Sequence, residues 1–101
     1  MSSNTTGTQN TALGRDALFT NTTASNNTAV GFEALKTEDA HGKNIAIGYQ
    51  ALIVLDVGAD GFNTVIGYQA GVSMNTGIVN TLIGHQAGDA LTTGNNNVAI
   101  G

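Results

Sequence analysis

A five-residue phrase returns six times along this chain: Asn, a β-branched residue, then Ala, Val or Leu, an aliphatic residue, and Gly. It starts at Asn10, Asn27, Asn44, Asn63, Asn80 and Asn97, so the spacings are 17, 17, 19, 17 and 17 residues. A unit this short cannot bury its own apolar face and has to stack on copies of itself. The repeat therefore decides the fold class before local propensity is consulted. It predicts an all-β chain, a β-solenoid of the β-roll or β-helix kind with about five coils of 17–19 residues, in one repeat domain over 1–101.

Read by columns, the repeat makes separate physical statements. The Asn column never varies; in a solenoid equivalent residues lie about 4.8 Å apart, so the amides can bond up the stack as a ladder. Tolerance of a turn is an equally good reason for Asn. The next column (Thr11, Thr28, Ile45, Thr64, Thr81, Val98) and the fourth (Leu13, Val30, Ile47, Ile66, Ile83, Ile100) favour a strand and share one face. Ala12, Ala29, Ala46, Val65, Leu82 and Ala99 point the other way. A strand apolar on both faces is expected to be buried on both.

Gly14, Gly31, Gly48, Gly67 and Gly84 mark a bend or a close backbone approach. Ala17, Ala34, Ala51, Ala70 and Ala87 mark a site where a methyl fits and nothing larger does. Between them runs a planar column, Arg15, Phe32, Tyr49, Tyr68 and His85, then Asp16, Glu33, Gln50, Gln69 and Gln86. Stacked equivalent rings meet whether or not anything binds, so a packing ladder is the simpler reading. Glycan contact at Phe32, Tyr49 and Tyr68 is the functional alternative. A short second strand is expected after the Gly bend, followed by a polar return with a second corner at Gly7, Ala24, His41, Asp60, Gly77 and Gly94.

The unit beginning at Asn44 carries two extra residues and the apolar run Ile53-Val54-Leu55-Asp56-Val57, expected to pack against neighbouring chains rather than stand as a bulge. Asp56 and Asp60 lack the dense oxygen-ligand pattern of a calcium loop and read as solvated acids.

Composition narrows the function classes. Only 10% of residues are charged, and Asp plus Glu exceed Lys plus Arg by 7 to 3. Phosphate binding draws on clustered cations that this chain lacks, so neither nucleic acid nor an anionic membrane surface is an expected partner. No apolar run approaches the roughly 20 residues of a spanning helix, and the polar first ten residues show no signal peptide. Without Cys, disulfides cannot staple the fold. The polar, uncharged surface suits a virion or extracellular setting. The opening Ser2-Ser3-Asn4-Thr5-Thr6-Gly7 reads as the tail of a preceding repeat, and Gly101 falls inside another, which predicts a segment of a longer fibre.

Catalysis, metal binding and a cofactor are not expected. His41 and His85 fit no catalytic or metal-ligand spacing, and Gly42-Lys43 lacks the upstream Gly of a phosphate loop. A left-handed β-helix acyltransferase is the distant enzymatic alternative. Its six-residue aliphatic beat survives at Ile66, Val72 and Ile78 but fails at Lys36 and Ser25. Ice binding through the Thr column is interrupted at Ile45 and Val98, with no parallel second column.

The phrases NNTAVGFEAL, NIAIGYQAL, NTVIGYQAG and NTLIGHQAG resemble the Asn-Thr-Ala-Ile-Gly-Tyr-Gln-Ala-Leu repeats of phage tail-fibre and related virion proteins. They are also similar to the head repeats of trimeric autotransporter adhesins. The resemblance runs from about Thr5 to Gly101. It implies a parallel homotrimer of solenoids, a structural shaft or stalk in a tail fibre or surface adhesin that projects a host-attachment region. Arg15 and His85 depart from the usual Tyr or Phe, and Gly71 and Gly88 from the usual Leu. Within such a trimer the bulky Leu13-type column is expected to fill each chain's core. The small Ala12, Gly14 and Ala17 columns would then line the contact between chains.

Overall fold

The computed structural model describes residues 2–101; Met1 lies outside the described residues. Six strands carry the repeat: β1 Thr11–Leu13, β2 Thr28–Val30, β3 Ile45–Ile47, β4 Thr64–Ile66, β5 Thr81–Ile83 and β6 Val98–Ile100. They form one parallel sheet in chain order, and each pairs in register with the same column of the next coil. Pairing Ile45 with Thr64 absorbs the longer unit without a register slip. A one-residue slip would turn every side chain to the other face, so the two extra residues must be looped out elsewhere.

The expected second strand is absent among the described residues. After the Gly bend the chain still bonds from coil to coil, as in Glu33 N–H to Arg15 O at 2.9 Å and Leu18 N–H to Ala34 O at 3.1 Å. Its backbone, however, is not extended. Asp16, Glu33, Gln50, Gln69 and Gln86 take φ of 52–60°, and Leu18, Leu35 and Leu52 take 50–53°. Left-handed residues at alternate positions coil the chain inward, which suits a narrow solenoid and precludes a pleat.

The core occupies the side of the strand opposite to the one expected. Ala29, Ala46, Val65 and Leu82 are fully buried, with the Ala17, Ala34, Ala51 and Ala70 column and with Leu18, Leu35 and Leu52. The Leu13-type column faces outward. Space explains the inversion: a 17-residue coil encloses a thin interior, and Leu18, Leu35 and Leu52 already fill it from across the coil. In the first three coils only a methyl remains for the strand. Where the strand residue enlarges to Val65 or Leu82, the facing Leu shrinks to Gly71 or Gly88. A Cβ on Gly88 would lie 2.8 Å from Leu82 Cδ1, and one on Gly71 would lie 3.2 Å from it. Bulk is traded between facing positions and between neighbouring coils, since a Cβ on Gly71 would also meet Leu52 Cδ2 at 3.0 Å.

Gly14, Gly31, Gly48, Gly67 and Gly84 have φ of 124–141°, a region that side chains rarely enter. A Cβ there would also strike the carbonyl of the next Gly, at 2.7 Å for Gly14 against the Gly31 oxygen. Both reasons anticipated for this column hold together.

The Asn column is a ladder. Its Oδ1 accepts the backbone N–H of the next Asn, at 2.9 Å for Asn10 to Asn27 and 3.0 Å for Asn27 to Asn44. At Asn10, Asn63 and Asn80 the Nδ2 reaches the second corner one coil on, as in Asn63 to Gly77 O at 3.0 Å, whereas Asn44 Nδ2 turns back to Gly42 O and Asn27 Nδ2 is buried without an acceptor. The turn itself falls one residue earlier. Gln9, Asn26, Lys43, Phe62, Val79 and Asn96 carry the positive φ, 51–63°. Asn is thus used for its two-sided amide, and the amide supports strained neighbours such as Val79.

Candidate functional site

Three surfaces collect chemistry-bearing side chains; no pocket occurs among the described residues. The first is the outer face of the sheet. In-register pairing lines up the Thr11-type column beside the Leu13-type column, and none of these positions is charged. Leu13 is 67% and Ile100 73% exposed at the ends, while Val30, Ile47, Ile66 and Ile83 shelter one another and remain partly exposed. Six strands thus present a continuous, uncharged strip to solvent, β-branched at every position but Leu13. Of the small columns anticipated at a contact between chains, those of Ala12 and Ala17 are instead inside the chain while that of Gly14 stays partly exposed, and the bulky column anticipated inside is on the surface.

The second surface is the planar column, which the structure assembles in full. Ring centroids are 5.2 Å apart for Phe32–Tyr49, 5.1 Å for Tyr49–Tyr68 and 5.4 Å for Tyr68–His85, with planes inclined by 17°, 9° and 24°. The Arg15 guanidinium lies 5.8 Å from the Phe32 ring and closes one end. Each inner ring has a neighbour on both faces. A sugar is left with ring edges and the Tyr hydroxyls rather than a platform on which to stack. Beside the rings runs a polar rail: Gln86 Nε2 donates to Gln69, Gln69 to Gln50 and Gln50 to Glu33, at 3.2, 3.0 and 2.8 Å. Glu33 also accepts from Lys36 at 2.7 Å. The Lys36 and Gln50 hydrogen bonds hold the Glu33 carboxyl below its ordinary pKa, and the same ion pair raises that of Lys36.

The third surface lies around the longer coil. Leu55 and Val57 turn into the chain's own core, so the apolar run packs inward, and Val54 alone of its large residues is well exposed, at 40%. Asp56 and Asp60 do not share a cluster. Asp60 pairs with Lys43 at 2.8 Å and accepts from Gly42 N–H; both interactions, Lys43 first, keep its pKa low. Asp56 instead joins Glu38 and Asp39, with carboxylate oxygens within 4.8 Å of one another. Glu38 is fully buried, as is Asn21. Neither stood out in the sequence, because both belong to the variable return. Their signal is an offset: 4, 21 and 38 each precede a repeat Asn by six residues.

Neither family models nor searches of curated proteins and solved structures returned a match to this chain.

Proposed function

We propose that this chain is a structural module, a shaft or stalk segment of a trimeric fibre of the virion tail-fibre or surface-adhesin kind. Three parallel copies pack side by side and hold a host-attachment region away from their anchorage. The observation that carries this reading is the outer sheet face, an uncharged strip of aliphatic and Thr side chains repeated on every coil and left partly or fully exposed. Such strips on a soluble protein mark contact surfaces, and an identical strip on a second and third copy offers the same period and the same chemistry around a threefold axis. The Ile45 and Val98 interruptions of the Thr column are apolar, so they extend the strip rather than break it.

Light scattering at micromolar concentration tests the assembly. A mass three times the 10.2 kDa of one chain is expected, falling to that of a single folded chain in Ile47→Lys/Ile66→Lys. Both positions lie outside the chain's own core, so each coil should persist. A monomeric wild-type protein would refute the proposal. Glycan binding lost in Tyr49→Ala/Tyr68→Ala, with the trimer intact, would instead favour an adhesin that contacts sugars through its ring edges.

A further inference from the structure

A second polar column stands inside the solenoid, at the corner occupied by Asn4, Asn21 and Glu38. Thr5 N–H donates to Thr22 O and Thr22 N–H to Asp39 O, which sets the residues before them one above another. Asn21 Nδ2 donates to Asn4 Oδ1 at 2.8 Å and to Ala24 O at 3.3 Å, so both of its hydrogens are committed. Asn21 Oδ1 is left as a buried acceptor without a donor. The next member of the column is Glu38, which as a carboxylate has only acceptors to offer. Its oxygens receive just two long backbone contacts, from His41 N–H at 3.2 Å and Val57 N–H at 3.5 Å. Charge-assisted bonds to a buried carboxylate are ordinarily about 2.7–2.9 Å. The carboxylates of Asp39, from the same coil, and Asp56, from the next, lie within 4.8 Å.

We propose that Glu38 is a proton-operated rung of the solenoid: it is seated as the neutral acid, its O–H completes the Asn4–Asn21–Glu38 column, and loss of that proton loosens the second coil. Beyond that site, Lys43 is engaged by Asp60 and Lys36 by Glu33, so both nearby cations are committed elsewhere. Burial pushes the Glu38 pKa from 4.5 up to about 7 against the two N–H contacts, and Asp56 and Asp39 push the same way. A carboxyl that holds its proton more tightly when folded stabilises fully below its unfolded pKa. The contribution is lost as pH rises from about 4.5 through about 7. The same turn bond that joins Asn21 N–H to Leu18 O places Leu55, Met74 and Leu91 at the corresponding points of later coils, so the device is confined to one end of the stack.

An NMR titration of the Glu38 side-chain carboxyl carbon in the full chain is the direct test. A midpoint near 7 is expected, and one at the ordinary 4.5 would overturn the proposal. Melting at pH 5 and pH 8 gives a second readout: the wild-type melting temperature should fall by several degrees at pH 8, and Glu38→Gln should remove most of that fall. His41→Asn, which removes the imidazole but keeps the backbone N–H, should retain the fall. A pH dependence lost in His41→Asn and kept in Glu38→Gln would refute the assignment. So would millimolar calcium restoring wild-type melting at pH 8 but not that of Glu38→Gln, since the carboxylates would then hold a cation.

Discussion

Exchanging the sizes of Leu82 and Gly88 isolates the packing rule of the coil. Leu82→Ala empties a fully buried site, and a change of this kind costs about 2–5 kcal/mol. Gly88→Leu alone drives a side chain into Leu82, whose Cδ1 and Cδ2 lie 2.8 and 2.9 Å from the new Cβ. Overpacking adds about 1–3 kcal/mol, and placing a side chain at φ +63° adds about 1–2. If the sites were independent, the double variant would lose the sum, about 4–10 kcal/mol, enough to unfold a domain of this size. The double variant, however, recreates the second coil, where Ala29 faces Leu35 at φ +50°. Only the backbone term should remain, about 1–2 kcal/mol. Urea unfolding of the four proteins in a cycle gives the coupling, expected to exceed about 2 kcal/mol and to be favourable. Taking the middle of these ranges, the double variant is about 2 kcal/mol more stable than Leu82→Ala and should recover roughly 8–16 °C in melting temperature, at about 4–8 °C per kcal/mol. Additivity within about 0.5 kcal/mol, the rule for sites that do not touch, would refute the volume exchange.

Two other substitutions probe the corners. Gly67→Ala places a Cβ against the Gly84 carbonyl at φ +141° and should cost about 3 kcal/mol or more in urea unfolding, with rigid backbone on both sides of the clash; a loss under 1 kcal/mol, the scale of an exposed Gly change, would count against it. Asn63→Ala strips the acceptor of Asn80 N–H (2.9 Å) and the donor to Gly77 O (3.0 Å). Two buried groups left unpaired at about 1–3 kcal/mol each give about 2–6 kcal/mol, and Asn10→Ala, at a part-buried end rung, should cost clearly less.

The sequence carried the strands, the two reasons for the Gly column and the meeting of the rings, because each follows from identical residues at a fixed period. It did not carry which face of the strand is inside. Alternation separates Ala29 from Thr28 and Val30 but is symmetric about the sheet, and bulk was a poor guide where Leu18, Leu35 and Leu52 already fill the interior. The information was present in pairs rather than in columns. Val65 with Gly71 and Leu82 with Gly88, against Ala29 with Leu35, disclose mutual contact six residues apart. The expected second strand failed for a different reason: left-handed backbone at Glu33 and Leu35 type positions leaves no mark in composition when Gln, Glu and Leu adopt it. Glu38 was obscured because it lies in the variable return, where it shares an offset with Asn4 and Asn21 but not a residue type.

The stacked rings also give the molecule an optical address. With no Trp, its intrinsic emission comes from Tyr49 and Tyr68, which sit 5.1 Å apart in the third and fourth coils. Fluorescence therefore reports on the middle of the stack, while far-ultraviolet dichroism sums over every coil. In a one-dimensional array that frays from its ends, the dichroism would begin to fall while the tyrosine signal still held. The interval between the two curves would measure how far loss of a terminal coil precedes loss of the centre.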